Sequence, residues 1–365
     1  MSTLFHIFDS IQNTLFPWLE QALDPLSEKE QKFVQVLSLM DLQTHMKAYR
    51  WKGKGRKRKN RVKMAKAFVA KAIYNFETTD ILMDYLRGCK NIRRLCGWEN
   101  PWQVPSKSTF SRAFAQFSEG NLTQDIHEAM VKEHCGEKLA GHISRDSTAI
   151  AARERPVKKK SDQSLTQPKR KPGRPRKGEV VAPKPPKRLD LQPTRTLQDN
   201  LKDLPIQCDV GTKLNSKGYK ESWSGYKLHL DCIDGDIPVS TLLTSASLHD
   251  SQVAIPLSQM SQNRITNLYD LMDSAYDAPQ IHSFSKKLGH QPIIDHNPRR
   301  GEKIYMDPAT KARFAERSSA ERVNSNLKDN YGGRNIRVKG ASKVMTHLMF
   351  GIIAITATQL FRLLE

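Results

Sequence analysis

Paired cysteines are missing from this sequence. Its five cysteines form no CxxC pair, which excludes a disulfide scaffold and argues against a zinc module. Long hydrophobic runs are missing too. The longest largely apolar stretch, Leu348 to Phe361, covers 14 residues, too few to span a bilayer. No N-terminal run has the pattern of a signal peptide. Acid is scarce: 38 Asp+Glu stand against 59 Lys+Arg, for a net charge of +21. Hydrophobic residues are not scarce. At 38% they suffice for a core and exclude a mostly disordered chain. The expectation is a soluble, intracellular protein without a membrane, whose charge suits a polyanion, most simply nucleic acid.

The excess charge is concentrated. Residues 47–71 hold 12 Lys/Arg and no acid, among them Arg56, Lys57, Arg58 and Lys59. Residues 155–188 hold 13 Lys/Arg with only Asp162 and Glu179. The remaining 306 residues carry a net −2. Two basic elements on a near-neutral body fit binding to a phosphate backbone, with steep salt dependence. The second element, from Pro156 to Pro193, holds eight of the 19 prolines and almost no large apolar residues. Residues 155–204 therefore read as a disordered basic insertion. Within it, Lys171-Pro172-Gly173-Arg174-Pro175-Arg176-Lys177 is similar to an AT-hook. Arg174 and Arg176 would then lie in an A·T-rich minor groove, or belong to a generic basic linker.

Helical spacing dominates before residue 138. Helices are expected within 1–45, from Val62 to Tyr74, from a Thr78-Thr79-Asp80 cap through Leu86, and after Pro105, with Phe110, Phe114 and Phe117 on one face. Residues 1–138 therefore read as an all-helical DNA-binding domain. Then the texture changes. Gly141 to Asp146 reads as a strand. Gly225 to Cys232 and Ile237 to Leu243 alternate around Asp234-Gly235, a hairpin signal. His249 to Met260 reads as a helix whose first two residues, His249-Asp250, form a loop or cap or lie near the active site. A strand at Leu268–Met272, a helix near Ile281 and a strand at Gln291–Asp295 follow. Long helices are expected at Pro308–Asn330 and Ser342–Leu364. The layout is α/β with a mixed sheet, over residues 139–154 and 205–365.

Three acids stand out in this part. Asp146 and Asp273 each end an expected strand, where open α/β sheets bind ligands. Asp270 and Asp277 are alternatives for the second position. Glu321 lies on the expected long helix. Counted from Phe314 at about 100° per residue, Arg317, Glu321 and Lys328 share a stripe about 60° wide. That stripe suits an acid holding a metal between cations holding phosphates. Two divalent cations roughly 3.5–4 Å apart can activate a water or 3′-hydroxyl and stabilise the leaving oxygen of a phosphodiester. Asn297-Pro298-Arg299-Arg300 reads as a DNA-backbone contact or a loop closure.

With these residues the sequence resembles the bacterial insertion-sequence DDE transposases, in the branch with a Tyr-Arg-Glu-Lys helix signature. Its spacing is Tyr, two residues, Arg, three residues, Glu, six residues, Lys. Here it reads Phe314, Arg317, Glu321, Lys328, with Phe in place of Tyr. Arg145-Asp146-Ser147-Thr148 resembles the first-aspartate strand, and Met272-Asp273-Ser274-Ala275-Tyr276-Asp277 the second. Leu86 to Phe117 resembles the family's helical N-terminal region. The resemblance implies a ribonuclease H-like core in which Asp146, Asp273 and Glu321 are catalytic and hold two Mg²⁺, with Mn²⁺ as substitute. Arg317, Lys328, Arg299 and Arg300 would contact DNA beside the basic cluster and the insertion. The implied partners are double-stranded DNA, as element ends and target, and a second copy in a homodimer or higher synaptic complex. The implied location is the bacterial cytoplasm, at the nucleoid. The implied activity is binding of terminal inverted repeats, hydrolysis at the ends and transfer of the 3′-hydroxyls. The same residues also suit a nuclease of this fold that cuts without joining, or a DNA-binding relative that does neither.

Overall fold

The computed structural model describes residues 3–51, 53, 55, 58–157, 186–214, 217–299 and 301–364. Nine helices among them precede the first strand: α1 (Thr3–Ser10), α2 (Phe16–Ala22), α3 (Glu28–Leu39), α4 (Leu42–His45), α5 (Arg61–Ile73), α6 (Thr79–Gly88), α7 (Lys90–Leu95), α8 (Lys107–Glu119) and α9 (Leu122–Cys135). Local chemistry sets several of their starts. Ser27 and Glu30 form a reciprocal capping box on α3. The Asn60 side chain accepts from the backbone N–H of Val62 at 2.9 Å, so α5 begins within the basic cluster, after its Arg56–Lys59 run. Thr78 caps α6 as its sequence suggests. Helix α8 runs on to Glu119 because Phe110, Phe114 and Phe117 stay on its buried side.

Six strands form one mixed sheet: β1 (Leu139–Ala151), β2 (Asp209–Leu214), β3 (Lys220–Ile233), β4 (Ile237–Ser245), β5 (Thr266–Met272) and β6 (Gln291–Ile294). The spatial order is β2-β3-β1-β5-β6, with β4 paired to β3. The expected hairpin forms: β3 and β4 are antiparallel, and Gly235 and Asp236 take positive φ in its turn. Long β3 pairs with β2 up to Gly225 and with β4 from Tyr226 onward. At Gly225, with φ 153°, a Cβ would sit 2.1 Å from the Ile150 carbonyl oxygen, so the switch requires glycine. On the other side, β1 is antiparallel to β3 and parallel to β5, and β5 is parallel to β6.

Four expectations change. Asp146 does not end its strand, because β1 continues to Ala151 along β3. Residues 188–204 do not belong to a disordered insertion. They form α10 (Arg188–Leu191) and α11 (Leu197–Asp203), held to α12 (Ser251–Gln262) by Arg188–Gln252 and Gln192–Gln252 hydrogen bonds and by buried Asn200 and Leu204. The helix expected at Pro308–Asn330 is helical throughout but not uniform. Asp307 caps α14 (Pro308–Phe314), the chain tightens into a 3₁₀ turn over Ala315–Arg317, and it continues as α15 (Ser318–Asn330). Between β5 and α14 lies α13 (Pro279–Lys287).

The fourth change concerns the domains. The last helix, α16 (Ala341–Arg362), packs on α3, α5, α8 and α9 as well as on β4 and α15. Phe68 of α5 meets Phe110, Phe114 and Phe117 of α8 and Phe350 of α16, with ring centroids 5.0–6.3 Å apart. One hydrophobic core therefore runs through the N-terminal helices, α16 and the sheet. The helix is long and apolar enough to cross a membrane by composition, but 89% of its apolar window is buried inside the protein. The residue 138 boundary separates segments of chain, not two cores.

Candidate active site

The parallel ladder between β1 and β5 runs from Leu139↔Thr266 to Ser144↔Leu271. There β5 ends, while β1 continues. Asp146 on β1 and Asp273 just past β5 thus lie where the parallel ladder ends, where α/β sheets place their ligands.

Alternation on β1 gives its two faces different tasks. Arg145 points to one side and is fully buried. Its guanidinium makes a two-pronged ion pair with Asp231 of β3, at 2.7 and 2.8 Å, and Ser261 of α12 donates to the same carboxylate at 2.7 Å. Ser144 and Asp146 point to the other side, toward α15. The Ser144 hydroxyl donates to the Arg317 carbonyl, and the Ala320 N–H donates to the Ser144 oxygen at 3.4 Å. Arg322 grips Asp236 in the hairpin turn at 2.7 and 2.8 Å. These contacts fix the start of α15 over the strand ends, and Ala320, Val323 and Leu327 bury its inner face.

Helix α15 then delivers two side chains one turn apart. Asn324 donates to Asp146 Oδ2 at 2.9 Å. Glu321 is exposed and forms an ion pair with Arg317, whose guanidinium also lies 5.7 Å from the Phe314 ring centroid. Phe314, Arg317 and Glu321 are thus neighbours across the 3₁₀ turn. Lys328, on the last turn, is half-buried. Burial lowers its pKa, Lys213 and Arg334 lower it further, and the Asp146 charge opposes them.

Burial pushes the Asp146 carboxyl up to about 6. The Ser147 backbone N–H opposes this and the Asp273 charge adds to it, while Arg317 and Asn324 oppose it. Burial also raises Asp273. Its Oδ1 accepts from the Ala275 N–H at 2.9 Å, which opposes the shift, and the Asp250 and Asp295 charges add to it. Burial, more than neighbouring charge, therefore raises both carboxyls, and Arg317 opposes the shift at each.

The alternative acids are engaged elsewhere. Asp270 is buried, with its pKa lowered against the effect of burial by His290, Arg145 and Ser285, and it also accepts from Asn267 at 3.0 Å. Asp277 accepts from the Asn297 N–H at 2.9 Å and pairs with His282 at 3.0 Å. Among the described residues no three His, Cys, Asp or Glu side chains stand close enough together to hold an ion. Glu321 is paired with Arg317.

Of the remaining basic residues, only some are described. Arg299 is exposed in a left-handed turn and reaches the Asp277 carbonyl at 3.3 Å. Arg58 and Lys59 are exposed just before α5. Arg56, Lys57, Arg174, Arg176 and Arg300 lie outside the described residues. The cysteines other than Cys89 are buried.

Three further groups stand at the site, of which sequence reasoning missed Asn324 and gave Asp250 and Tyr276 no role. Asn324 lies three residues after Glu321, and that helical spacing signals a shared side. Asp250 stands at the N-cap position of α12, but its carboxylate makes no capping bond; it pairs with Lys227 at 2.8 Å and its charge acts on Asp273. The Tyr276 hydroxyl is buried without a hydrogen-bond partner, and it feels Asp250, Asp146 and Asp273. The Tyr276-Asp277 pair belongs to the run that resembles the second-aspartate strand, but the sequence does not show that its hydroxyl is buried at the site.

Two family models match the chain. The Transposase DDE domain matches residues 194–357, and the Transposase domain (DUF772) matches residues 21–116. Asp273, Arg317, Glu321 and Lys328 fall within the first match, and Asp146 falls outside both. No curated protein matches the chain significantly.

Proposed function

The chain is an insertion-sequence transposase of the DDE type, and from that premise we propose that it cuts the ends of its own element and joins the freed 3′-hydroxyls to target DNA. One observation carries this reading: two carboxylates with raised pKa lie where the β1–β5 parallel ladder ends, beneath α15 with Glu321 and Lys328 and the preceding turn with Arg317. The strand order, with β3 antiparallel to β1 and with β5 and β6 parallel to it, supports a ribonuclease H-like core.

The donor set suits a hard divalent cation. Asp146 and Asp273 supply carboxylate oxygens, and the buried Asn324 Oδ1 has no partner. Asp146, Asp273 and Glu321 would hold two Mg²⁺, or Mn²⁺ in their place. When bound, the ions would lower the pKa of the attacking water and stabilise charge on the attacking and leaving oxygens.

The chain's own groups have separate tasks. Asn324 holds one oxygen of Asp146 and so fixes the carboxylate plane. Arg317 occupies Glu321 in the free protein. When Glu321 turns inward, the guanidinium becomes available to a phosphate next to the scissile bond. Lys328 places a second cation near Asp146. The helical layer, with Arg58 and Lys59 ahead of α5 and Arg299 at the β6 end, would hold the duplex. Bringing two ends together requires a homodimer or higher synaptic complex, acting in the cytoplasm at the nucleoid.

The test supplies an oligonucleotide with a pre-cleaved element end and follows its covalent insertion into a plasmid. Metal-dependent insertion by the wild type supports the reading. Cutting at the ends with no joined product would leave a nuclease instead.

A further inference from the structure

We propose that a cavity of about 490 Å³ between the helical layer and the segment after α15 is a second DNA site, holding backbone phosphates of the duplex away from the cleavage centre. The proposal rests on the DNA-acting reading above and adds where the duplex runs.

Cations from both layers line the cavity: Lys71 of α5, Lys107 of α8, Arg153 just past β1, and Arg337, Lys339 and Lys343. Two acids face them, and both are occupied. Asp80 pairs with Lys107, and Glu77 pairs with Arg337 at 3.3 Å. Arg153, Lys339 and Lys343 are exposed and carry no acidic partner among the described residues. Lys71 is the telling member. It is 9% exposed, and its ammonium donates only a long bond, 3.4 Å, to the Glu77 carbonyl. A buried cation without a carboxylate is unfavourable unless an anion completes its surroundings. Burial, and then the nearby Arg337, hold its pKa down to about 8 against the opposing charge of Glu77, which itself pairs with Arg337 and not with Lys71.

The placement favours a duplex over a free nucleotide. Glu154 accepts from the Gly340 N–H at 3.1 Å and from the Tyr226 hydroxyl, which ties the Lys339 loop beside Arg153. Asp146 and Arg153 lie on one continuous run of chain, β1 and its extension, on the order of 20 Å apart. That is about six base pairs of DNA rise. A duplex with a phosphate at Asp146 can therefore place later phosphates over this cavity. Such contacts position the DNA without reading its sequence.

The experiment measures binding of a labelled mixed-sequence duplex in metal-free buffer. The test variant carries Lys339→Glu and Lys343→Glu. A control carries Lys286→Glu and Lys287→Glu on α13, the same change of charge at another exposed place. The test variant should bind about tenfold more weakly, with a salt slope smaller by about 2, as for two lost phosphate contacts. Wild-type affinity and slope in the test variant would overturn the proposal. An equal loss in the control would also overturn it, because general charge would then explain the effect. ATP bound by the wild type and lost in the test variant, with duplex binding unchanged, would make this a nucleotide site and overturn it too. A separate cleavage assay with Mg²⁺ keeps the two readings apart: weakened binding without cleavage by the wild type sinks only the enzymatic reading.

Discussion

Replacing Asp231 with alanine leaves the Arg145 guanidinium buried without its carboxylate. Arg145 is 1% exposed and Asp231 is 0% exposed, and they share two short hydrogen bonds. Breaking such a pair from one side costs about 3–5 kcal/mol. Asp270 is close enough to act on the Arg145 charge, so the lower end, about 3 kcal/mol, is expected. Ser261 loses its acceptor as well, which keeps the cost from falling further. The assay is urea denaturation followed by tryptophan fluorescence. A double change, Arg145→Met with Asp231→Leu, removes both charges and should come within about 1 kcal/mol of the wild type. A loss below about 1 kcal/mol for Asp231→Ala would refute the reasoning, because the pair would then not be isolated from water. The consequence reaches the site, since Arg145 anchors the strand position next to Asp146.

Three further outcomes are expected. Asp146 has a folded pKa of about 6, above its ordinary value of 3.8, so the folded state holds the proton more tightly and stability falls as pH rises from about 4 to about 6. In metal-free buffer, Asp146→Asn should therefore stabilise the protein at pH 8 by up to about 3 kcal/mol and give no gain near pH 4; denaturation curves showing equal stability at pH 8 would contradict this. Asn324→Ala removes a hydrogen bond to that carboxylate, so the acid limb of the cleavage profile should move up by about one pH unit, and an unchanged profile would deny Asn324 a positioning role. Gly225→Ala forces a Cβ against the Ile150 carbonyl and should destabilise the protein by about 1–3 kcal/mol, a loss that a thermal melt would miss only if β3 could shift.

Much of the layout was legible because its signals are local. The β3–β4 hairpin follows from alternation around Asp234-Gly235, and the α6 cap from Thr78. The extent of β1 was not legible: what carries it past Asp146 is pairing with β3, a contact distant in sequence. Helices α10 and α11 were hidden by the charged, proline-rich composition around them, although buried Asn200 and Leu204 hold them in place. The shared core was hidden for a related reason. The width of the α16 apolar face is visible in sequence, but its two sets of partners are not. At the site, expected strand ends and the family resemblance together point to Asp146, Asp273 and Glu321, with Asp270 and Asp277 as alternatives for the second position. The hydrogen bond from Asn324 and the charge of Asp250 require the fold to bring them in.

The central claim is that Asp146 and Asp273, with Glu321, make one metal-dependent cleavage centre. The most direct test is cutting of a supercoiled plasmid carrying the DNA that flanks this reading frame, with Mg²⁺ or with chelator. Wild type, Asp146→Ala, Asp273→Ala and Glu321→Ala are compared after circular dichroism shows each to be folded. The account predicts Mg²⁺-dependent cuts at the element ends by the wild type and none by any of the three variants. Wild-type cutting by folded Asp146→Ala would contradict it.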